Sequence, residues 1–156
     1  MQKTHSLTEA QKKLEHYCAY QERCHEEVIK KSRALLLSPS EIDEVVVYLI
    51  QNNFLNEERF ACSFARGKHR IKHWGKIRIV NELKFRNIST YNINKALKEI
   101  TPEEYLKNFH SLADRHWGNL IELNAIKKRK KYCDYLLRKG FESNLIYEKV
   151  KDLEST

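Results

Sequence analysis

Apolar residues recur at intervals of three and four over most of this chain, and alternation in steps of two is nowhere sustained, so the pattern predicts helices rather than strands. The best strand candidate, Val45-Val46-Val47, lies inside a helical pattern. The apolar spacing also repeats. Leu83, Ile88, Ile93, Leu97 and Ile100 shift by 53 residues onto Leu136, Phe141, Ile146, Val150 and Leu153. Shifted back by 51 residues, the last four fall on Leu37, Ile42, Val46 and Leu49, while Leu83 falls on Ser32. Steps of five, four and three join two short helices through a tight turn, and their apolar faces can close only on a third helix. The predicted unit is a three-helix motif present three times, over residues 1–54, 55–100 and 101–156. The predicted helices are 7–20, 24–35, 39–52, 56–72, 75–86, 89–100, 102–117, 124–139 and 142–153. In the fifth, the apolar face is read as Ile77, Val80 and Leu83.

Helix starts fit this scheme. Ser38-Pro39-Ser40-Glu41 combines an N-cap serine, proline at the first helical position and glutamate at the third, and Thr101-Pro102-Glu103-Glu104 repeats the grammar. Ser89 and Asn56 cap two further helices, and Gly140 before Phe141 ends one. Four glycines and two prolines leave few turns that need special backbone geometry, which favours long helices with short connections. The fold class is therefore all-α.

Charge adds a partner class. Lys and Arg exceed Asp and Glu by 29 to 21, so the expected partner is acidic. The excess is segregated. Residues 1–60 carry eight Lys/Arg against ten Asp/Glu. Residues 66–86 carry Arg66, Lys68, Arg70, Lys72, Lys76, Arg78, Lys84 and Arg86 against Glu82 alone. Residues 127–139 carry Lys127, Lys128, Arg129, Lys130, Lys131, Arg138 and Lys139 against Asp134 alone. These fifteen are the candidate nucleic-acid-binding or filament-binding residues. The bland reading of each block is a solvated helix face. Trp74 and Trp117 could stack on bases, but tryptophans near helix ends more often fill gaps between helices, and packing is the favoured reading.

No catalytic apparatus is legible. Glu57-Glu58 and Glu103-Glu104 suit helix N-termini, and adjacent helix residues point apart. There is no phosphate-cradling glycine loop and no cofactor motif. His69 and His73 have metal-binding spacing, yet Lys68, Arg70 and Lys72 would repel a divalent cation. Cys18, Cys24, Cys62 and Cys133 lack paired spacing and read as thiols of a reducing compartment. Met1-Gln2-Lys3-Thr4-His5 leads into polar sequence without an apolar core, and no membrane span is predicted, so the expected location is the cytoplasm. Closed three-helix units bury their own cores, which predicts a monomer. No metal, cofactor or catalysis is expected.

Two runs carry a family resemblance: Leu55-Asn56-Glu57-Glu58-Arg59-Phe60-Ala61, and Trp74-Gly75-Lys76-Ile77-Arg78 followed by Glu82-Leu83. Together with Arg129-Lys130-Lys131-Tyr132 and Leu136-Leu137-Arg138-Lys139-Gly140-Phe141, they resemble the signature of the RecX family, modulators of the RecA recombinase. The first unit departs from it, with Glu22-Arg23-Cys24-His25 where the family often has paired arginines and a proline. The resemblance implies an elongated, curved array of three tandem three-helix repeats that binds the RecA–DNA filament, within its groove, and alters ATP hydrolysis, strand exchange and co-protease activity. On this reading the basic faces engage the filament and single- or double-stranded DNA, while the acidic first unit meets a basic protein surface. The alternative is an independent helical DNA-binding module, such as a transcriptional regulator. Repetition favours the modulator, because a transcription factor needs one recognition helix per half-site and a dimer interface.

Overall fold

The computed structural model describes residues 6–156, and the polar run 1–5 lies outside the described residues. Among the described residues there are nine helices and no strand. They are α1 (Leu7–Tyr20), α2 (His25–Ala34), α3 (Pro39–Gln51), α4 (Glu57–Arg70), α5 (Lys76–Phe85), α6 (Thr90–Leu97), α7 (Pro102–Asn119), α8 (Ala125–Lys139) and α9 (Ser143–Glu154). Helices α1, α2 and α3 pack on one another, as do α7, α8 and α9, and α5 packs on α6. The chain forms two compact units, residues 1–63 and 64–156, whose boundary falls inside α4. No helix among the described residues is long and apolar enough to cross a membrane.

Side-chain caps set most helix starts. The Glu41 N–H donates to Ser38 Oγ (3.3 Å) and the Ser38 N–H donates to the Glu41 carboxylate (2.9 Å), a complete capping box. Ser89, Asn56 and Thr101 each accept the N–H three residues on, from Asn92, Arg59 and Glu104, at 3.2, 2.8 and 3.1 Å. The Thr101 site is only half a box. Its Glu104 carboxylate turns away to Arg70 instead, at 2.6 and 3.2 Å.

The repeat is carried by the backbone as well as by apolar residues. Leu36, Asn87 and Gly140 all have left-handed φ (63°, 59° and 95°), and they are separated by the same shifts of 51 and 53 residues. After each, the next N–H reaches back five residues: Leu37 to the Ser32 carbonyl (3.2 Å), Ile88 to Leu83 (3.1 Å) and Phe141 to Leu136 (3.2 Å). This Schellman turn satisfies carbonyls that the helix end would leave unpaired. The imperfect repeat match also resolves. Ser32 is as fully buried as Leu83 and Leu136, and its hydroxyl donates to the Val28 carbonyl (2.7 Å), so burying it leaves no unsatisfied donor.

The core of the first unit is built from Ala10, Leu14 and Cys18 of α1, Val28 and Leu35 around α2, Ile42, Val45 and Leu49 of α3, and Leu37 and Leu55 from the connections. Each fully buried leucine contributes about 1.5–3 kcal/mol. Among the aromatics, Phe60, Tyr105, Phe109, Tyr132 and Phe141 are buried, while Phe54, Phe64 and Tyr135 are half-buried.

One face was misread from the spacing. Leu83 is fully buried as expected, but Ile77 is 47% exposed and Ile79 is buried in its place. The reason lies at the start of α5. Gly75 packs against the end of α8, and Ile77 and Ile79, two positions apart, lie on opposite sides of the helix, so the face that buries Ile79 leaves Ile77 to solvent.

Candidate nucleic-acid interface

Both motif runs build joints. Arg59 is a hub: its Nε–H donates to Glu22 (2.6 Å), and its other nitrogens donate to the Asn53 side chain (3.0 Å) and to the carbonyls of Asn53 (2.9 Å) and Phe54 (3.3 Å). One guanidinium therefore ties α4 to the turn after α1 and to the end of α3. Five donors in a planar fork suit this task and no other side chain supplies them.

The second run docks the N-terminus of α5 onto the C-terminus of α8. The Gly75 N–H donates to the Lys139 carbonyl (2.7 Å), the Ile77 N–H to the Gly140 carbonyl (3.0 Å), and the Lys76 N–H to the Tyr105 hydroxyl (3.0 Å). Orphan donors of one helix are met by orphan acceptors of another, with the two dipoles in favourable register. The Tyr105 hydroxyl in turn donates to Glu142 (2.7 Å), and burial followed by that bond pushes its pKa up. His69 is fully buried, stacked on Tyr105. Its Nδ1 lies 2.9 Å from the Trp74 carbonyl and its Nε2 lies 3.0 Å from the Asn108 amide nitrogen, so both ring nitrogens are engaged. The Trp74 ring lies edge-on to Phe64, under Arg78 at 4.1 Å and near the Lys68 amine at 5.0 Å.

This architecture sorts the fifteen cations. In α4, Arg66 pairs with Glu99 (2.9 Å) and Arg70 with Glu104, which holds the Glu104 carboxyl below its ordinary range. Arg86 pairs with Glu82 (2.9 Å) and lies over Phe64. The Lys76 amine sits 4.6 Å from the Tyr105 ring. In and beside α8, Lys130 pairs with Asp134 (2.7 Å), Lys131 with Glu122 (3.3 Å) and Arg129 with Glu154, while Lys128 lies over Trp117 at 4.1 Å. Trp117 meets Tyr132 edge-on, and so both tryptophans pack within the fold. Three cations of the 127–131 block are thus offset by carboxylates, one of them, Glu154, distant in sequence. Lys72, Lys84, Lys127 and Arg138 are exposed, and no carboxylate lies within ion-pair distance of them among the described residues.

The two basic blocks converge at the α5–α8 joint. The Lys139 amine donates to the Lys72 carbonyl (3.1 Å), and Arg78 donates to the Arg138 carbonyl (3.2 Å). Burial, then Arg78, then Lys72 depress the Lys139 pKa. The neighbouring His73 is likewise depressed by burial, then by Arg115, Lys139 and His69. No carboxylate contributes to either shift. Lys139 and His73 thus sit among cations, in a patch of concentrated positive charge. Arg115 was missed in the sequence, because it stands alone in a mildly acidic stretch and only the fold brings it here, and His73 was weighed there only as a metal ligand. Among the described residues no group of His, Cys, Asp and Glu could hold a metal, and Cys18, Cys24, Cys62 and Cys133 are free thiols.

Comparison with known proteins places the chain. The model of the second three-helix domain of RecX matches residues 56–97, and that of the third matches residues 103–150, together more than half of the chain. The regulatory protein RecX of Bacillus cytotoxicus is 24% identical over 138 residues, covering 88% of this chain and 51% of that protein. The chain thus spans about half the length of the curated relatives it matches. The crystal structure of RecX from Lactobacillus salivarius superposes with a TM-score of 0.79 at 23% identity, covering 96% of this chain and 97% of that one. A second crystal structure, of a regulatory protein RecX, gives 0.78 at 23% identity, covering 93% and 74%.

Proposed function

This chain belongs to the RecX family, and on that footing we propose that it regulates RecA-mediated recombination and DNA repair by binding the RecA–DNA filament. It acts by occupancy, without catalysis, as a cytoplasmic monomer whose three-helix parts are 1–54, 55–100 and 101–156. Bound within the filament groove, it lowers ATP hydrolysis, strand exchange and co-protease activity. The alternative of an independent transcriptional regulator is not favoured by the family match.

The observation that carries the proposal is the convergence of Lys72, Arg78 and Lys139 at the α5–α8 joint, with Arg115 and His73 beside them. A DNA–protein filament presents phosphates, and each lysine or arginine that neutralises one releases condensed counterion. Arg78 and Lys139 are each anchored to a backbone carbonyl at the joint, which holds their charges close together.

Co-sedimentation with RecA assembled on single-stranded DNA tests this. Lys72→Glu is the informative variant, because Lys139 bonds the Lys72 backbone carbonyl and the substitution cuts no bond. The wild type is expected to pellet with filaments and to be released by salt, and Lys72→Glu to pellet less. Lys151→Glu, on exposed α9 surface, is expected to match the wild type. Equal pelleting of Lys72→Glu and wild type at all salt concentrations contradicts the proposed contact.

A further inference from the structure

The first unit is net acidic, yet one of its surfaces is not. Lys13, His16, Tyr17 and Tyr20 fall at i, i+3, i+4 and i+7 on α1, one stripe of a helix whose core face is Ala10, Leu14 and Cys18. Opposite the stripe stand Lys31 and Leu35, and the two sides enclose an open cleft of about 510 Å³ that also includes Arg23. A stripe of lysine, histidine and tyrosine contributes nothing to the core.

The cleft is ordered by Arg23. Its guanidinium lies 3.7 Å over the Tyr17 ring, its Nε–H donates to the Tyr17 carbonyl (2.9 Å), and it approaches Glu27 (3.8 Å). These contacts fix the Tyr17 ring as the floor. The Lys31 amine stands 5.6 Å from the same ring. Tyr20, at the end of α1, is 84% exposed at the rim, with the Arg23 guanidinium 6.0 Å from its ring. Among the described residues no carboxylate lies within ion-pair distance of Lys13 or Lys31.

We propose that this cleft binds single-stranded nucleic acid, with a base stacked on Tyr20 and the adjoining phosphates held by Lys13 and Lys31. An exposed tyrosine beside unpaired lysines combines a stacking platform with point charges, the pairing that single-strand grooves use. A duplex offers no free base face to Tyr20. An acidic protein segment fits less well, since carboxylates are best met by an arginine fork, and the only arginine here is occupied by Tyr17 and Glu27. Its residues belong to the first unit and those of the cationic joint to the second, and its test needs no recombinase, so it stands or falls apart from the proposed filament function.

The test is fluorescence anisotropy of a labelled oligothymidylate with the full chain, over a series of salt concentrations, beside a duplex and a polyglutamate peptide. Tyr20→Ala removes an exposed ring, and unchanged helical circular dichroism checks that the fold is kept. The expected result is about tenfold weaker single-strand binding by Tyr20→Ala, with duplex binding unchanged. Lys13→Ala and Lys31→Ala are each expected to reduce the salt slope by about 0.7. The proposal is overturned if the wild type does not bind the oligothymidylate, or if all three variants bind it like the wild type. It is also overturned if the variants lose polyglutamate binding while single-strand binding persists, which would make the cleft a protein-docking site.

Discussion

Gly75 and Gly140 stand back to back. A Cβ on Gly75 would lie 2.3 Å from the Gly140 carbonyl oxygen, and one on Gly140 would lie 2.3 Å from the Arg78 Cβ. Two helix ends meet here with their backbones in direct contact, and neither position has room for another carbon. Gly140 also holds φ at 95°. Gly140→Ala is therefore expected to destabilise the fold by about 2–4 kcal/mol, through backbone strain plus overpacking. Gly67→Ala, in α4 with open space around it, is expected to stabilise by about 0.5–1 kcal/mol. Urea unfolding of the two variants checks the contrast.

Arg59 makes the corresponding prediction for the first joint. Arg59→Ala removes four donated bonds, and with the side chain about one-third exposed the expected loss is about 1–2 kcal/mol. Arg59→Lys is expected to recover little, because one ammonium cannot reach Glu22, Asn53 and Phe54 together. Thermal melting of both variants decides this.

Stability should fall with acid in a defined window. His116 stacks on Tyr135 (centroids 3.7 Å apart) with its Nε2 buried and unpaired, and burial followed by the Arg138 charge holds its pKa below the usual 6.5. His73 is depressed too. As pH drops past 6.5 the unfolded chain takes up protons that the native state resists, so the native state loses stability until these histidines also protonate. Denaturant midpoints are expected to be flat above that pH and to decline below it, with a shallower decline in His116→Phe.

Arg78 and Lys72 separate binding from folding. Arg78 stacks on Trp74 and caps α8 through the Arg138 carbonyl, so Arg78→Glu is expected to lower the melting temperature as well as DNA affinity. The Lys72 amine has no such duty, and Lys72→Glu is expected to lower affinity at unchanged melting temperature. Parallel melts and binding isotherms distinguish the two.

The helices were legible because caps and apolar spacing are local signals. Ser38, Ser89 and Thr101 were identified as caps and bond as caps, and the 51- and 53-residue shifts reappear as equivalent Schellman turns. Which cations are free was not legible. Arg129 meets Glu154 and Arg70 meets Glu104 across 25 and 34 residues, distances at which spacing carries no information. The burial of Ile79 was hidden too, since Ile77 and Ile79 are both apolar and spacing alone does not decide which one faces the core. The α1 stripe of Lys13, His16, Tyr17 and Tyr20 was present in the sequence, but the net acidity of residues 1–60 masked it.

The proposed role is regulation of RecA through the cationic α5–α8 joint. Its most direct test is the single-stranded-DNA-dependent ATP hydrolysis of RecA, titrated with this protein well below one copy per recombinase, wild type beside Lys72→Glu. Strong inhibition by the wild type and a marked loss of inhibition in the variant are expected. No effect of the wild type, together with tight binding to bare DNA, would contradict that role.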